Sequence, residues 1–599
     1  MRRFKSINLN GVIDRNRLRF LQIVFVIVFI SLTIFLFKLQ VLNDEGVLNA
    51  AINNTDDINH TTSVQRGNIY FTDKSGTLIP VAINKSYSTI AVDPKTLQRD
   101  NQVVPTAKLL SPILNRPEAE LINIFQKSNS QYEVLLKKTE DDKLITKIKE
   151  LKLPNEKGKL KPIMGISISE EFERYYPFQE LGCHVIGFIA KNNSSDKKIG
   201  VYGLEKYYND SLDGTDGVFH GLKDAAGRLI RSLPSNEKMP INGDSLITTI
   251  DKNIQYQAET EIKNLVDSRQ AVSGSILVMD PVSGKMLAIA GYPNFNLNEF
   301  FKVNDYSVYR NLAIEDPVEM GSVVKVITMT AGIDSDTITP KTTYYDSGAV
   351  TINNRTIKNF HNDKFGTATM TKVLQKSINT GAIFVEQKTG HKIFYDYLKK
   401  FKFNDITGID LPNEQKSVLK NLETKYVPDI NFATASYGHG ISITPIAILR
   451  SYAVIANGGY LVNPYVVETT KSPDGTYGSV NKQDILLESI IKPSTAKTIT
   501  NMMVQVVEDG YGSSAKVKGY SMAGKTGTAD ISYGKEYTND TIQSFGGFFP
   551  ASNPKVVMLV VLNKPAIGMT ASTSVTYGFH DMAKFIIDYY NIPPDEPLN

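Results

Sequence analysis

The first pronounced hydrophobic run lies near the N-terminus. There, 18 consecutive residues from Phe20 to Phe37, between Arg19 and Lys38, carry no charge. As a helix this run would be about 27 Å long, close to the roughly 30 Å of a bilayer core. It exceeds the ~7–15 apolar residues of a signal peptide, and no Ala-x-Ala site closes it. A cleaved signal peptide is the alternative, but the pattern favours an uncleaved membrane anchor over residues 20–38.

Charge indicates the orientation of this anchor. Residues 1–19 hold six basic residues and one acid, Asp14, whereas residues 20–599 hold 60 basic and 61 acidic residues. Basic flanks stay in the cytoplasm, so the tail 1–19 is predicted there and the body outside the membrane. A body of net charge −1 excludes a broad basic groove, so we expect no nucleic-acid partner.

The segment that follows the anchor, residues 39–244, is mixed in pattern. Its first part, 41–65, is polar and Asn-rich, which indicates a stalk. Two short runs around a turn predict a hairpin over 67–82, and helical periodicity predicts surface helices over 105–152. A polar stretch bounded by prolines at 232–240 indicates a linker.

Residues 245–599 are denser in apolar runs and glycine. Because strand patterns lie at both ends with helical sequence between them, we predict an α+β fold in which one sheet carries an inserted helical region. The predicted elements are a strand at 246–251, a helix at 255–266, a hairpin at 274–290, strands at 546–550 and 556–562, and a helix at 577–590.

Cofactor chemistry has little support in the sequence. Seven His and one Cys offer no metal-ligand spacing, and no phosphate-binding loop is present, so we expect neither metal nor cofactor. The single Cys183, beside His184, could be a thiol nucleophile but is expected to be a buried structural residue. His439 could be catalytic but is expected to shape a loop near Lys525.

A first candidate motif is Ser322-Val323-Val324-Lys325, which enters an apolar helical run. Residues three apart share a helix face, so the Lys325 amine can approach the Ser322 hydroxyl. A lysine can take the serine proton if burial or nearby cations lower its pKa. Ser-x-x-Lys recurs at other places in polar sequence, and only the apolar helix after Ser322 would bury the pair.

The second candidate motif is Ser377-Ile378-Asn379, which supplies a hydroxyl for proton relay and an amide that can bind a peptide backbone. The third is Lys525-Thr526-Gly527-Thr528, in a small-residue strand. There Lys525 and the threonine hydroxyls could hold a carboxylate, and Gly527 permits close approach of the backbone. Two decoys exist, Ser6-Ile7-Asn8 and Lys388-Thr389-Gly390, and the second ends an apolar helical stretch, where Gly390 suits a C-cap.

The order of the three motifs, with 55 and then 148 residues between them, resembles that of the penicillin-recognising serine acyltransferases. The chain resembles in particular the class B penicillin-binding proteins. Segments similar to the transpeptidase domain of that class begin at Asp280, Tyr292, Asn311, Gly408 and Ser436. Segments similar to its non-catalytic N-terminal domain begin at Arg66, Glu173, His184 and Gly203.

The resemblance implies a penicillin-binding transpeptidase fold over 245–599, preceded by an elongated α+β pedestal over 39–244 and one transmembrane helix. Two positions depart from the family pattern. Met320 stands where the family usually has proline before Gly-Ser, and the first hairpin, after Arg66, is one residue longer than the common form.

The resemblance also implies residue roles. Ser322 would attack the penultimate D-Ala of a peptidoglycan stem peptide, with Lys325 as general base and Ser377 passing the proton to the leaving amine. Asn379 would orient the donor, and backbone N–H groups of Ser322 and Thr528 would form the oxyanion hole. The terminal carboxylate would be bound by Lys525, Thr526 and Thr528, with Gly527 between them.

The implied function is a D,D-transpeptidase that cross-links stem peptides through a Ser322 acyl-enzyme, is inhibited by β-lactams and serves septal wall synthesis. Four alternatives stay open: a lateral-wall transpeptidase, a D,D-carboxypeptidase, a β-lactamase of the same clan and a catalytically silent division scaffold. The expected location is the plasma membrane, as a single-pass protein with a cytoplasmic N-terminus. The expected partners are a polytopic membrane glycosyltransferase and other division proteins.

Overall fold

A computed structural model describes most of the chain. The described residues are 15–40, 57–62, 64–127, 132–154, 158–191, 197–223, 229–230, 239–479, 488–533 and 536–597. Contacts divide them into two compact units, one from residues 1–64 and 215–241 and the other from residues 65–214 and 242–599.

The first unit contains the apolar N-terminal helix, Arg15–Gln40. Within the described chain, its Arg19–Lys38 portion is the one helix long and apolar enough to cross a membrane, and its side chains are exposed. This agrees in length and composition with the predicted anchor. A small antiparallel sheet in the same unit contains Asp57–Thr62, Gly217–Lys223 and Leu229–Ile230.

Part of the segment expected as a stalk is therefore a strand. Asp57–Thr62 pairs with the strand Gly217–Lys223, so backbone hydrogen bonding to a distant segment overrides its polar, loop-like sequence. Residues 41–56 and 63 of the expected stalk lie outside the described residues. So do residues 232–238 of the predicted linker.

The second unit begins with a seven-stranded sheet. Six of its strands follow the order Tyr477–Ser479, Val467–Lys471, Ser245–Asp251, Ile69–Thr72, Ile79–Val92, Glu133–Thr139, and the seventh, Ile166–Tyr175, also pairs with Ile79–Val92. The hairpin predicted over 67–82 is present, with Ile69 opposite Ala82. Ser245–Asp251 pairs with Ile69–Thr72 in parallel and with Val467–Lys471 in antiparallel fashion. This sheet therefore contains strands from both sides of residue 244.

Helices cover part of this sheet, as the periodicity over 105–152 predicts. They are Pro94–Arg99, Val103–Leu114, Glu118–Phe125 and Asp142–Lys149. Their buried residues, among them Leu110, Leu121 and Phe125, share a core with Ile90 of the sheet. The strand Glu133–Thr139 interrupts the predicted helical stretch, because it pairs with the sheet and buries Leu135. Smaller elements of the region are Lys152–Pro154, Leu160–Pro162, Cys183–Ile186, Ile189–Lys191, Lys198–Gly200, Gly203–Tyr207 and Asn209–Asp213.

A buried ion cluster connects three of the segments that carry the family resemblance. Glu205 is fully buried, and its two carboxylate oxygens accept hydrogen bonds from Arg66 Nε at 2.7 Å and Arg174 Nε at 2.6 Å. Arg174 Nη1 also donates to the carbonyl of Gly67 at 2.8 Å. Arg66 Nη1 also lies 3.3 Å from Asp213 Oδ1. Both guanidinium groups are thus paired with the buried carboxylate of Glu205, and Arg66 is paired with Asp213 as well.

The second sheet of this unit is antiparallel and five-stranded. Its strands are β1 (Ser273–Met279), β2 (Met286–Tyr292), β3 (Ala523–Tyr533), β4 (Glu536–Phe549) and β5 (Val556–Asn563). The strand order is β2-β1-β5-β4-β3, so β3 forms one edge. Two long helices are α1 (Lys252–Arg269) and α6 (Val575–Tyr590), and the Asp251 side chain caps α1 by accepting from the backbone N–H groups of Asn253 and Ile254.

Both faces of this sheet are buried, which explains the continuous apolar runs in its central strands. Ile276 and Val278 of β1 share a core with α1 and α6. Leu277 and Met279, on the opposite face, share a core with the helices inserted between β2 and β3. The predicted architecture of one sheet with an inserted helical region is confirmed.

The inserted region contains helices and short strand pairs. Four of its helices are α2 (Lys325–Asp334), α3 (Asn379–Thr389), α4 (Pro445–Ala456) and α5 (Pro493–Asp509). Other helices of this region are Leu312–Glu315, Met370–Gln375, His391–Lys400 and Asp429–Ala435. Short strand pairs are Thr343–Asp346 with Gly366–Thr369, Ala349–Ile352 with Arg355–Lys358, and Tyr460–Leu461 with Glu488–Ser489.

Candidate active site

Ser322 lies on a tight turn that leads directly into α2. The turn, Gly321–Val324, is a 3-10 helix, and Gly321 has φ of 60°. A Cβ atom at Gly321 would lie 2.6 Å from the carbonyl oxygen of Thr528, and one at Gly438 would lie 2.1 Å from the carbonyl oxygen of Gly321. Glycine is therefore required at both positions, where backbone packs on backbone around the serine.

Lys325 is the first residue of α2, and its side chain is fully buried. Its Nζ donates to the carbonyl oxygen of Ser377 at 2.5 Å and to Asn379 Oδ1 at 2.7 Å. Burial, and secondarily the positive charge of Lys525, hold the pKa of Lys325 well below its ordinary value. A neutral amine one helical turn from Ser322 can accept the proton of the serine hydroxyl.

Ser377 occupies the junction between the helix Met370–Gln375 and α3 and has φ of 53°. Its Oγ lies 3.0 Å from Lys525 Nζ and 3.4 Å from Lys325 Nζ. Asn379 begins α3, and its Nδ2 donates to the carbonyl of Lys358 at 3.0 Å. The hydroxyl and the amide of the second motif thus both contact the lysine of the first.

Lys525 lies on the edge strand β3 and is also fully buried. Its Nζ donates to Ser377 Oγ and to the carbonyl oxygen of Thr526 at 2.9 Å. Burial lowers the pKa of Lys525 to about 7. A Cβ atom at Gly527 would lie 2.6 Å from the carbonyl of Met320, so this glycine lets the edge strand approach the serine turn.

An open cleft of about 520 Å³ runs along the edge strand and over the serine. Of the predicted residues, Ser322, Ser377, Asn379, Thr526 and Thr528 line this cleft. Lys325, Lys525 and Gly527 are buried and do not line the cleft. The structure thus brings together all eight predicted site residues, which come from three segments of the chain. The first and the last of these segments are 203 positions apart, from Ser322 to Lys525.

Other cleft residues carried no motif signal in the sequence. They are Thr356, Ile357, Lys358, Phe360, His361, Tyr437, Tyr511, Asp530, Thr570, Ala571 and Ser572. Tyr437 belongs to a segment that carries the resemblance, but none of the three motifs includes it. His439, expected to shape a loop, also lines the cleft, and burial together with the charge of Lys325 lowers its pKa to about 4. His439 is therefore neutral at physiological pH.

The structure also describes two other candidates from the sequence, Lys388 of the second decoy and Cys183. Lys388 is exposed near the end of α3, and Gly390 follows the helix with φ of 88°, as a C-terminal glycine does. Cys183 is buried, and burial raises the pKa of its thiol well above the ordinary value. The other decoy, Ser6-Ile7-Asn8, lies outside the described residues. Among the residues that the structure describes, no group of three or more His, Cys, Asp or Glu could hold a metal ion.

The geometry provides what acyl transfer at a serine requires. A buried lysine can act as base, a second hydroxyl connects two lysines, and a strand at the edge of a sheet can pair with an extended peptide. Fold and site together define a penicillin-recognising serine acyltransferase.

Comparison with known families and proteins gives the particular class. The family described as "Penicillin binding protein transpeptidase domain" matches residues 274–581, and that described as "Penicillin-binding Protein dimerisation domain" matches residues 61–248. Stage V sporulation protein D of Bacillus subtilis is 31% identical over 564 residues, covering 93% of this chain and 83% of the relative. Peptidoglycan D,D-transpeptidase FtsI of Buchnera aphidicola is 29% identical over 544 residues, covering 89% of this chain and 88% of the relative.

Solved structures share the fold. Penicillin binding protein 2X from Streptococcus thermophilus has a TM-score of 0.76 and 20% identity, covering 89% of this chain and 81% of its own. Penicillin binding protein 3 from Mycobacterium tuberculosis, complexed with aztreonam, has a TM-score of 0.66 and 22% identity, covering 90% of this chain and 99% of its own. The chain belongs to the class B penicillin-binding proteins and is a peptidoglycan D,D-transpeptidase.

Proposed function

We propose that Ser322 is the nucleophile that carries the acyl group. Its hydroxyl loses a proton to neutral Lys325 and attacks the carbonyl of the penultimate D-Ala, which releases the terminal D-Ala. The backbone N–H groups of Ser322 and Thr528 stabilise the oxyanion. An amine from a second stem peptide then attacks the ester, forms the cross-link and restores the serine hydroxyl.

Ser377 and Asn379 serve proton transfer and donor binding in this proposal. The Ser377 hydroxyl passes the proton from Lys325 to the departing amine, which its position 3.0 Å from Lys525 Nζ and 3.4 Å from Lys325 Nζ supports. The Asn379 amide orients the donor backbone. The donor carboxylate is bound by Lys525, Thr526 and Thr528, and Gly527 keeps the strand close enough to the serine turn.

The single observation that carries the proposal is that Lys325 and Lys525 both contact Ser377 in one buried cluster. Among the residues that the structure describes, neither lysine has a carboxylate as a hydrogen-bond acceptor, and burial lowers both pKa values. A buried lysine without a counter-ion is costly for folding, and such costs are typical of catalytic sites.

We further propose that the protein is a single-pass plasma-membrane protein with residues 1–19 in the cytoplasm and the catalytic domain outside. The charge distribution around residues 20–38 supports this orientation. Residues 39–244 form a pedestal and residues 245–599 the transpeptidase domain, a division that the two family matches support. A polytopic membrane glycosyltransferase supplies the glycan chains, other division proteins are further partners, and β-lactams acylate Ser322 by the same chemistry.

Septal wall synthesis is the cellular role that we propose, supported by the similarity to the FtsI protein. Synthesis of a spore wall is a second candidate, because a sporulation protein is 31% identical to this chain. Depletion in the native host distinguishes them. Filaments without septa support the first role, normal division with defective spores supports the second, and loss of rod shape contradicts both.

Transpeptidation can be tested with the full-length protein in detergent, a donor ending in D-Ala-D-Ala and an amine acceptor. We expect a cross-linked product from the wild type and none from Ser322→Ala, whereas Ser335→Ala, a serine at the end of α2, should retain activity. If water releases D-Ala at the same rate with and without the acceptor, and no cross-linked product forms, the result would instead indicate a carboxypeptidase.

A further inference from the structure

Between α2 and α3, residues 346–365 form a segment, called here the hairpin segment, that borders the cleft but carries none of the three motifs. Its hairpin strands are Ala349–Ile352 and Arg355–Lys358, joined by Asn353 and Asn354, which both have positive φ. Thr356, Ile357, Lys358, Phe360 and His361 of this segment line the cleft. The hairpin alone is too short to hold its own position, so another interaction must fix it against the catalytic helices.

Asp346, at the start of this segment, supplies that interaction. Its side chain is 1% exposed. One carboxylate oxygen, Oδ1, accepts from Thr380 Oγ1 at 2.6 Å, from Gly348 N at 3.0 Å and from Asn359 Nδ2 at 3.0 Å. The other, Oδ2, accepts from Phe365 N at 2.8 Å and from Asn359 Nδ2 at 2.9 Å.

The acceptor sites of this carboxylate are therefore occupied. Burial by itself would raise the pKa of Asp346, but the hydrogen bonds from Thr380, Phe365 and Gly348 outweigh it, and the pKa lies below the ordinary value. The group is a buried carboxylate whose partners are neutral donors, and they come from both the hairpin segment and α3.

Asn359 completes the link between these two elements. Its Oδ1 accepts from the backbone N–H of Thr380 at 3.1 Å, while its Nδ2 donates to Asp346. Asp346 thus holds Asn359 on one side and Thr380 on the other. The residues that precede them, Lys358 and Asn379, are joined by the hydrogen bond from Asn379 Nδ2 to the Lys358 carbonyl at 3.0 Å.

We propose that Asp346 is a positioning residue for the reaction, which acts through Asn359 and Thr380 to fix Asn379 against Lys325. The inference rests on the proposed role of Asn379 in donor binding. Asn379 Oδ1 accepts from Lys325 Nζ at 2.7 Å, so a displacement of Asn379 also removes an acceptor from the general base. A shift of about 1 Å in such a constellation can lower a rate about 100-fold.

Asp346→Asn tests the proposal. Asparagine keeps the shape of the side chain, but its NH2 group replaces one acceptor oxygen and therefore faces groups that are themselves donors. The matched control is Asp410→Asn. Asp410 is also buried and accepts from the backbone N–H groups of Val466 and Val467 and from the Tyr208 hydroxyl, and it does not line the cleft. We measure the melting temperature and the rate of acylation by a fluorescent penicillin, with full-length protein in detergent.

We expect both variants to lower the melting temperature, but only Asp346→Asn to lower acylation of the folded protein, by about 100-fold. Thr380 provides an independent pair if Asp346→Asn fails to fold. Thr380→Val removes the donor to Asp346 and should lower acylation about tenfold, whereas Thr380→Ser keeps it and should retain the wild-type rate.

A double-mutant cycle with Asn379→Ala separates positioning from general destabilisation. If Asp346 acts through Asn379, then Asp346→Asn in the Asn379→Ala background lowers acylation by no more than about twofold further. Three results would each overturn the proposal. The first is that Asp346→Asn causes its full loss of acylation rate in the Asn379→Ala background. The others are equal acylation rates for Thr380→Val and Thr380→Ser, and a wild-type rate for folded Asp346→Asn. No acylation of the wild-type protein would instead contradict the proposed function itself.

Discussion

Lys325 and Lys525 approach the same residue, Ser377, from different elements. Lys325, on α2, donates to the Ser377 carbonyl at 2.5 Å, and Lys525, on the edge strand β3, lies 3.0 Å from the Ser377 hydroxyl. Both side chains are fully buried. The arrangement places two amines, one proposed as a base and one as a carboxylate-binding cation, in a single hydrogen-bonded cluster, and their protonation states govern the proposed reaction.

The rate of acylation by penicillin should depend on pH in a bell-shaped manner. Lys325 must be neutral to act as base, so the rate rises with pH as Lys325 loses its proton. Lys525 must be charged to bind the penicillin carboxylate, so the rate falls as Lys525 deprotonates, near pH 7 in the free enzyme. Because the lysines interact, the two apparent pKa values belong to the pair.

The measurement is the second-order rate constant of acylation between pH 5 and pH 10, and the control is an ester donor without a carboxylate. The falling limb should disappear with this donor. A falling limb that is the same for both donors would contradict the role of Lys525.

Replacing Lys525 by Met should stabilise the protein below pH 7 while abolishing carboxylate binding. In the folded state the pKa of Lys525 is about 7, below its ordinary value of 10.5, so the unfolded state binds more protons between these values. Stability therefore rises with pH across this window, and the full penalty of the buried charge is present below pH 7.

Thermal unfolding at pH 6 and at pH 10.5 checks this prediction. Lys525→Met should raise the melting temperature by several degrees at pH 6 and by much less at pH 10.5. The control is Lys388→Met, which alters an exposed lysine on α3 and should have little effect at either pH. A gain for Lys525→Met that is independent of pH would show that packing rather than charge burial is responsible.

Gly438→Ala should inactivate the enzyme through the serine turn. Gly438 has φ of 83°, and a Cβ atom there would lie 2.1 Å from the carbonyl of Gly321, the residue before Ser322. Gly408 has a similar φ of 78° but open space at the Cβ position. Both alanine variants should lose about 1–2 kcal/mol through backbone strain. Only Gly438→Ala should lose penicillin labelling, and equal labelling of the two variants would argue against tight packing at the turn.

Glu205→Gln should destabilise the protein by about 3–5 kcal/mol, because it leaves Arg66 and Arg174 without the carboxylate that they share. The control is Glu173→Gln. The partners of Glu173, Lys138 and Lys198, are exposed, so losing its charge should cost at most about 1 kcal/mol. Chemical denaturation of both variants gives the comparison. Similar midpoints for the two would contradict the importance of the buried cluster.

Sequence reasoning predicts the catalytic sheet well because its central strands are long apolar runs between turn residues, as in β1 and β5. It fails at Asp57–Thr62 and at Glu133–Thr139, where pairing with distant strands overrides the local pattern. The anchor is predicted from length and hydropathy alone. No local signal indicates that Ser245–Asp251 pairs with Ile69–Thr72, because the partners are far apart along the chain.

The candidate site divides in the same way. Motif residues such as Ser322 and Lys525 are found from their spacing, whereas the residues that support them carry no motif. Asp346 and Asn359 have side chains common in turns, and only the fold shows that their hydrogen bonds connect the hairpin segment to α3. His439 lies between two glycines, which suggests a loop, but its place in the cleft depends on tertiary packing.

The most direct test of the account is to identify the residue that penicillin acylates. The full-length protein in detergent is incubated with penicillin, digested and mapped by mass spectrometry, alongside Ser322→Ala and the control Ser335→Ala. We predict one adduct, on the peptide containing Ser322, in the wild type and in Ser335→Ala, and none in Ser322→Ala. An adduct on another residue, or one that persists in Ser322→Ala, would contradict the assignment of Ser322 as the nucleophile.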